Sequence, residues 1–483
     1  MSSIATSVGA RRARRRWLGD WLADEALLIT FLGTLVTLLA ATSAPYMLQP
    51  DSWLTFLGGR EIAEHGIPRV DSLAIMSHGH QWVDQQWLGQ LLTYRLVAAV
   101  GIGAALAIFT ALVIGPVMLA CVLARRRASG RSVAVFGVLA FLTFFCAVRA
   151  QTFSFLLFVP FFALLCSESR RPTRKVWLAL PVLALWANLH GAVVVAAALV
   201  ALLGATDFLA KRRLRGAGLV VGAAASVFAT PYGFGIVGYY TSTMANPLFR
   251  KYITEWQSPT FAGTFLPFFI AAGLALVLVA RRPRSLTLFE TAALAVTLVG
   301  GLMAQRSVIW FSDASLLLLP ALLDEAWPAR RLGASTRTVL AGLATVSATL
   351  ALVVIAHSVS VGGRKIDVAY PPAAVQAVRA AIAANPKARV LADDRTSDWL
   401  LYRLPQLRDR IAFDGRWEVL SQPQFALVRN YVTQQEPDPA ALMRGYQILV
   451  VDRTWHPKLY RWYQATRGLR VLYRGSHVAV FER

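Results

Sequence analysis

The chain has 483 residues, of which 56% are hydrophobic and only 16% charged, and its mean hydropathy is +0.51. Soluble proteins average about 45–50% apolar and roughly 25% charged residues, so this composition excludes an ordinary soluble protein. The formal net charge of +23 would suit a nucleic-acid-binding protein, but the positions of the arginines argue against that class.

Apolar segments alternate with basic and with polar loops along most of the chain. A full membrane crossing needs roughly 20 apolar residues, and shorter runs suffice where helices break. We therefore predict a mainly α-helical, polytopic membrane domain over residues 25–357, with about eleven spans. The segments are 25–48, 101–123, 132–148, 153–166, 176–189, 192–210, 216–229, 264–280, 286–304, 308–323 and 338–356.

Residues 1–24 form a basic N-terminus that precedes the first apolar segment. The motif LAATSA at 39–44 resembles a signal-peptidase site. We interpret the first segment as an uncleaved signal anchor, because many further spans follow it. The basic residues here are Arg11, Arg12, Arg14, Arg15 and Arg16.

The distribution of positive residues indicates the orientation of the spans, because short cytoplasmic loops retain Lys and Arg. The N-terminus and every second loop hold 23 of these residues, and the opposite loops hold seven. This predicts a cytoplasmic N-terminus, external loops at 49–100 and 231–262, and an external domain at 358–483. The positive charge is thus a topology signal in a multi-pass cytoplasmic (inner) membrane protein, and no nucleic-acid partner is expected. The seven are Arg60, Arg69, Arg95, Arg149, Arg250, Lys251 and Arg306.

The first external loop concentrates carboxylates and tryptophans beside the membrane, and we expect a loop or a pair of short surface helices there. Pro50 should end the first membrane helix and present Asp51 at the membrane edge. Carboxylates flanked by aromatic rings at headgroup level suit chemistry on a lipid-linked substrate. A solvated loop anchored by its tryptophans is the alternative. The residues are Asp51, Glu61, Glu64, Asp71, Asp84, Trp53, Trp82 and Trp87.

The tail from 358 to 483 has alternating patterns typical of a small α/β domain, with a parallel sheet and an antiparallel edge. We predict helices at 373–384, 397–405, 424–435 and 458–466, strands at 388–394, 410–416 and 447–453, and a closing hairpin at 469–483. Aspartates at strand ends either mark a ligand site or cap turns and helices. They are Asp393, Asp394, Asp414 and Asp452.

The first loop carries a recognisable pattern: Asp51, Trp53, Gly59, Ile62, Gly66, Pro68 and Asp71, then Trp82 and the pair Trp87-Leu88. With the later motifs WANLHG, TPYG, ITEW and FDGR, the chain resembles a bacterial branch of the type C (GT-C) superfamily of polytopic membrane glycosyltransferases. Two positions depart from the branch pattern. Leu54 replaces an aromatic residue, and Gln86 replaces an acid.

The resemblance implies transfer of a sugar from a polyprenyl-phosphate donor to an envelope glycan or lipid acceptor, on the outer side of the membrane. It implies that Asp51 is the base or a ligand of a divalent metal such as Mg²⁺ or Mn²⁺, with Asp84 as the second candidate. Membrane lipids are further partners. Groups near the outer face that could bind the lipid phosphate are Arg60, Arg149, His190, Arg250, Lys251, Glu255 and Arg306.

Other interpretations stay open. Arg149 and Arg306 could snorkel at span ends, and His190 could be a hydrogen-bonded core histidine. A protein without catalysis, either a membrane partner or a lipid-sugar carrier on the same scaffold, is favoured by Gln86, whereas the external polar motifs favour an enzyme. We expect the tail to be an accessory domain that shields the cavity or binds the acceptor.

Overall fold

The computed structural model describes residues 25–37, 48–143, 147–244, 246–328, 333–435, 438 and 440–483. The predictions for the N-terminal arginines, for the motif at 39–44 and for Cys146 lie outside these residues.

Apolar helices make up most of the chain up to residue 369, and every predicted span contains one. Five described helices are long and apolar enough to cross a membrane: α3, α5, α14, α11 with the residues that lead into it from Gly263, and α13 with those from Gln305. The chain is therefore a membrane protein, and the count of eleven spans stays a prediction. The helices are α1 (Glu25–Thr37), α2 (Pro50–His65), α3 (Trp87–Arg125), α4 (Gly130–Leu142), α5 (Gln151–Arg170), α6 (Ala179–Leu189), α7 (Val193–Leu209), α8 (Arg213–Val227), α9 (Gly235–Met244), α10 (Pro247–Tyr252), α11 (Leu266–Arg281), α12 (Leu288–Met303), α13 (Val308–Ala326) and α14 (Ala334–Ala369).

Aromatic and polar contacts tie the helices of the membrane part together. Phe158 and Phe162 of α5 stack with ring centroids 5.6 Å apart, and Phe158 also contacts Trp310 of α13 at 5.0 Å. At one end of the bundle, Arg170 donates to the buried Glu290 of α12 at 2.7 Å. A buried carboxylate needs such a partner to keep its charge in an apolar bundle.

Gln49 is extended, as predicted for a residue that precedes proline, and Pro50 then begins a new helix. The first membrane helix is described as far as Thr37, and residues 38–47 lie outside the described ranges. α2 is a single helix of 16 residues with Pro50 at its first position, where the missing N–H costs no hydrogen bond. The Ser52 hydroxyl accepts from the Gln49 N–H at 3.0 Å and completes a capping box. Asp51 therefore lies in the first turn of a helix, and the segment predicted as a loop or a pair of short helices consists of α2 and a non-helical connection at 66–86.

The second span also begins earlier than predicted. α3 starts at Trp87 instead of 101, because the residues between them are mostly apolar and continue the helix. Gly101, with φ of 79°, breaks the helix where the span was expected to begin. A positive φ of this size favours glycine, which has no Cβ to clash.

Gly58 and Gly59 let α2 approach α3 closely. A Cβ at Gly58 would lie 1.8 Å from Gln90 Oε1, and one at Gly59 would lie 2.2 Å from the Gln90 carbonyl oxygen. The glycine pair is thus a packing contact that fixes α2, and with it Asp51, against the membrane bundle.

The tail contains a four-stranded mixed sheet in the order β1-β2-β4-β3. β1 and β2 are parallel, with Val390 opposite Ile448, whereas β4 is antiparallel to both β2 and β3. Antiparallel pairs therefore form the larger part of the sheet, which corrects the predicted balance. The elements are α15 (Pro372–Ala384), β1 (Val390–Ala392), α16 (Ser397–Arg403), α17 (Gln422–Thr433), β2 (Ile448–Asp452), α18 (Pro457–Ala465), β3 (Arg470–Arg474) and β4 (Val478–Glu482).

The predicted strand at 410–416 is reduced to isolated bridges. Ile411 pairs with Val390 on one side and with Ala74 of the first loop on the other. The main chain at Asp409 is left-handed, with φ of 57°, which interrupts an extended run just before this point. The first loop therefore adds its own backbone to the tail domain: the N–H of Ile75 donates to the Ile411 carbonyl at 2.9 Å.

The first loop and the tail also share one hydrophobic core and a buried ion pair. Trp53 of α2 packs in the same cluster as Trp399 and Val450. The Arg416 guanidinium, 1% exposed, contacts Asp71 Oδ1 at 2.6 Å and Asp414 Oδ2 at 2.5 Å. The two motifs that end in Asp71 and Arg416 are thus halves of one contact. The predicted domain boundary at 357/358 falls inside α14, which continues to Ala369.

Candidate active site at the start of helix α2

Three segments that are distant in sequence meet around the guanidinium of Arg149, which lies just before α5. Its Nε contacts Asp51 Oδ2 at 3.2 Å, and its Nη1 donates to Glu255 Oε1 at 2.6 Å. Its Nη2 donates to Gln49 Oε1 at 3.3 Å. Glu255 belongs to a short 3-10 helix, Thr254–Trp256, within the ITEW motif. The structure thus brings together three predicted site residues: Asp51, Arg149 and Glu255.

The electrostatics of this cluster favour the ionised form of Glu255. Burial acts to raise the pKa of Glu255, but the charges of Arg149 and Arg306 outweigh it, so the net pKa shift is downward. The Arg149 side chain is only 15% exposed, whereas Asp51 is 51% exposed. Asp51 is therefore held by a buried cation and remains open to a substrate.

A cavity of about 330 Å³ adjoins this cluster. Arg149, Glu255 and Gln49 line one part of it, and Gln305 and Arg306 of the short helix Gln305–Ser307 line another. The rest of the wall includes threonines and the apolar side chains of Phe155 and Ile309. The cavity combines positive, negative and amide groups, which suits a hydroxylated and anionic ligand.

A second cavity, of about 440 Å³, also reaches Arg306 and Gln151, so these two residues line both. The Arg306 guanidinium lies over the Trp256 ring at 4.6 Å, which fixes it between them. One wall of the second cavity is apolar and comes from α7, α12 and α13. Its apolar lining residues include Val194, Val195, Met303 and Trp310, and its polar ones include Gln85, His190, Tyr239, Tyr240 and Arg250.

His190 lies in the connection between α6 and α7 and has a defined tautomer. Its Nδ1 accepts from the Ala192 N–H at 3.1 Å and from the Ser154 hydroxyl at 3.0 Å, so the proton resides on Nε2. Burial, followed by the charges of Arg306 and Arg149, lowers its pKa to about 3. His190 is thus both a buried, hydrogen-bonded histidine and a neutral N–H donor in the wall of the second cavity.

Four of the predicted site residues do not line either cavity: Asp51, which contacts the lining residue Arg149, and Arg60, Asp84 and Lys251. The buried guanidinium of Arg60 donates to the carbonyls of Tyr402 and Leu401 at 2.7 and 3.1 Å. Asp84 is 3% exposed and accepts from Gln90 Nε2 at 3.1 Å. Lys251 is exposed and lies 5.2 Å from the centre of the Tyr252 ring.

Several lining residues were missed as candidates, although the sequence carried a signal for them. Gln151 and Gln305 are amides at predicted span ends, each beside an arginine that was selected. Polar groups at such positions are costly unless they have a function or a partner. Tyr239 and Tyr240 lie in the polar second loop and had no such neighbour to mark them.

The donor set at Asp51 does not fit a divalent metal. Asp51 and Glu255 both direct an oxygen at the same guanidinium, so a cation already lies between them. Within the described ranges, the group of side chains with spacing suited to a metal is Asp393, Asp394 and His456 in the tail. Of these, Asp393 uses both oxygens for the N–H groups of Thr396 and Asp452, as the capping interpretation predicts.

No protein-family model and no curated protein matches the chain. Among solved structures it is similar to the oligosaccharyltransferase of Archaeoglobus fulgidus, and each match covers 91% of this chain and 70% of that one. The apo form gives a TM-score of 0.49 at 12% identity, and the form tethered by a disulfide bond to an acceptor peptide with the NVT sequon gives 0.49 at 11%. The complex of that protein, AglB, with an inhibitory peptide and a dolichol-phosphate gives 0.48 at 10%. At these values the likeness assigns neither family nor activity, so the assignment of a function rests on the chain's own residues.

Proposed function

We propose that the chain is a membrane glycosyltransferase that moves a sugar from a polyprenyl-phosphate donor to a glycan or lipid acceptor. The observation that carries this proposal is the pair of cavities that share Arg306. One has Arg149 and Glu255 in its wall, with Asp51 in contact with Arg149, and the other combines an apolar wall with a cationic rim. The sequence resemblance to type C glycosyltransferases supports the same reaction class.

The second cavity has the character expected of a donor site. A polyprenyl phosphate is an amphiphile, with a long apolar chain and an anionic head. Val194, Met303 and Trp310 offer apolar surface to the chain, and Arg250 and Arg306 offer charge-assisted hydrogen bonds to the phosphate. The sugar would then extend past Arg306 toward the first cavity, whose wall includes Arg149, the partner of Asp51.

In the proposed reaction, Asp51 acts as a general base on the hydroxyl of the acceptor. The acceptor oxygen bonds to the anomeric carbon while the bond from that carbon to the phosphate oxygen breaks, and the proton passes to the Asp51 carboxylate. Arg306 and the neutral Nε2–H of His190 stabilise the charge that develops on the leaving phosphate. Arg149, which is itself held by Glu255, holds the Asp51 carboxylate in place. Asp84 and Arg60 take no part.

The tail domain serves as an accessory in this proposal, because it contacts both external loops. It shares a core with α2, and the Phe425 ring lies 6.2 Å from those of Phe249 and Tyr252 in the second loop. This arrangement supports a role in fixing the loops around the cavities and shielding them. In this proposal the N-terminus lies in the cytoplasm, and the tail and the site lie outside the cytoplasmic membrane. Membrane lipids and the two substrates are the partners.

The test is turnover by purified protein in lipid nanodiscs supplied with a panel of polyprenyl-phosphate sugars and acceptors. Asp51→Asn should slow transfer by at least about 10²-fold, the lower end for a general base, and leave the melting temperature unchanged. Glu64→Gln, an exposed acid on the same helix, is the matched control and should retain full rate. Equal turnover by wild type and Asp51→Asn would place the chemistry elsewhere.

The runner-up function is a carrier or partner protein without catalysis, and it rests on Gln86. Gln86 is the N-cap residue of α3, at the position where the resembling branch has an acid, and the neighbouring Asp84 is buried. Binding of donor lipid with no turnover across the whole panel would favour this function over transfer.

A further inference from the structure

We infer that the Arg149 guanidinium takes the place of a divalent cation between Asp51 and Glu255, so that the site works without a metal. The position of Arg149 between the two carboxylates is a matter of geometry, whereas turnover without a metal rests in addition on the proposed function.

The contacts of Arg149 are those that a hard cation would make. Each guanidinium nitrogen faces an oxygen from a different residue: Asp51 at 3.2 Å, Glu255 at 2.6 Å and the side-chain carbonyl of Gln49 at 3.3 Å. Carboxylate and amide oxygens are the ligands that Mg²⁺ and Ca²⁺ prefer. Here a planar fork of nitrogens occupies the point where they converge.

A dication could not simply join this arrangement. Two carboxylates and one guanidinium leave one net negative charge, and Arg306, which also affects Glu255, offsets it. An added ion would have to displace a guanidinium that is largely buried and covalently fixed at the start of α5. Since arginine stays protonated at every working pH, the cation in this site is permanent.

Arg149 is therefore a positioning residue for Asp51. It holds the Asp51 carboxylate beside the cavity that Arg149 itself lines, and the acceptor proton still passes to Asp51 itself. Lysine could not replace it, because an ammonium is a point charge and lacks the planar fork that reaches two carboxylates at once.

The first test measures Mn²⁺ binding to the full-length protein by electron paramagnetic resonance and needs no activity. Wild type and Glu255→Gln should bind the same number of Mn²⁺ ions, because Glu255 holds no metal. Arg149→Met should bind one more ion per chain, and Arg149→Met/Glu255→Gln should lose it again. The comparison cancels any ion held by the Asp393–Asp394–His456 group, which is present in all four proteins.

Loss of one bound Mn²⁺ from wild type on the Glu255→Gln change would overturn the inference, even if Arg149→Met fails to fold. Absence of the extra ion in a folded Arg149→Met protein would overturn it as well. Melting temperature reports folding in each case.

The second test measures turnover with and without chelator. EDTA and added Mn²⁺ should leave the wild-type rate unchanged, and Arg149→Met and Arg149→Lys should each lose about 10²-fold through misplacement of Asp51. A rate that EDTA abolishes and Mn²⁺ restores would overturn the inference and leave the proposed function standing. If no donor is turned over, the proposed function fails and the Mn²⁺ comparison still decides the cation.

Discussion

The contact that joins the first loop to the tail makes a sharp prediction for Arg416→Met. The Arg416 guanidinium is buried between Asp71 and Asp414 and lies 4.2 Å from the centre of the Trp82 ring. Methionine keeps most of the volume and removes the charge, which leaves two buried carboxylates without their cation. Breaking a buried ion pair from one side costs about 3–5 kcal/mol. We expect a loss in that range in the free energy of unfolding.

Some of the hydrogen bonds of Asp71 survive the substitution and limit the loss in the free energy of unfolding. Its carboxylate still accepts from the Ser77 hydroxyl at 2.6 Å and from the Leu73 N–H at 2.9 Å. Removing the stranded charges should therefore recover part of the loss. We expect Arg416→Met/Asp71→Asn/Asp414→Asn to be more stable than Arg416→Met alone.

The matched control is Arg470→Met, the same substitution at an ion pair on the surface of the same sheet. Arg470 pairs with Glu482 and is 74% exposed, and such pairs contribute about 0–1 kcal/mol. Denaturant titration of the purified protein, followed by tryptophan fluorescence and by protease cleavage of the tail, measures both variants. If Arg416→Met costs no more than Arg470→Met, the contact is not the buried ion pair described here.

Three further outcomes are expected. Burial raises the pKa of Asp84 to about 7, so its contribution to stability is fully present below about pH 4 and is lost as pH rises through 7. Asp84→Asn should remove this dependence of the melting temperature on pH, and an unchanged dependence would contradict the prediction. Burial acts to lower the pKa of His456, but Asp394 and Asp393 more than offset burial and raise this pKa to about 8. The contribution of His456 to stability is therefore complete below about pH 6.5 and disappears as pH passes 8. His456→Gln should abolish that loss of stability in a pH series of unfolding curves. A thiol at exposed Ser476→Cys should react with an impermeant maleimide in intact cells, whereas labelling only after lysis would place the tail in the cytoplasm.

The sequence predicts those parts of the fold that depend on local patterns. Apolar runs and basic loops locate the helices of the membrane part, and the alternation of patterns locates most elements of the tail. The segment at 410–416 was wrongly predicted to be a strand, because its apolar run is typical of one. The left-handed main chain at Asp409 and the isolated bridge to Ala74 of the first loop cannot be read from that run. The burial of Arg416 against Trp82 and Asp71 could not be inferred from the FDGR motif alone.

At the site, the individual residues were predictable and their arrangement was not. Each residue stands at the end of a predicted span or in a motif of a polar loop: Asp51, Arg149, Glu255 and Arg306. No local pattern shows that one guanidinium contacts two carboxylates. Arg60 shows how one imprecisely predicted element leads to a wrongly chosen candidate residue. It lies nine residues after Asp51, which is about two and a half turns of a helix and hence the opposite face. With this segment predicted only as a loop or a pair of short helices of unknown bounds, that geometry could not be used.

The pairing of the first loop with the tail also sets an order of events during synthesis. Asp71 and Arg416 are separated by 345 residues, which a ribosome takes roughly 20–70 s to add at about 5–20 residues per second. Throughout that interval the Asp71 carboxylate lacks Arg416, and the N–H groups of Ile75 and Met76 lack the carbonyls of Ile411 and Ala412 that accept from them. The loop that carries Asp51 therefore matures last, although it is made first. A chain truncated before the tail would present an unfinished loop to the proteases of its compartment, so that only full-length molecules accumulate.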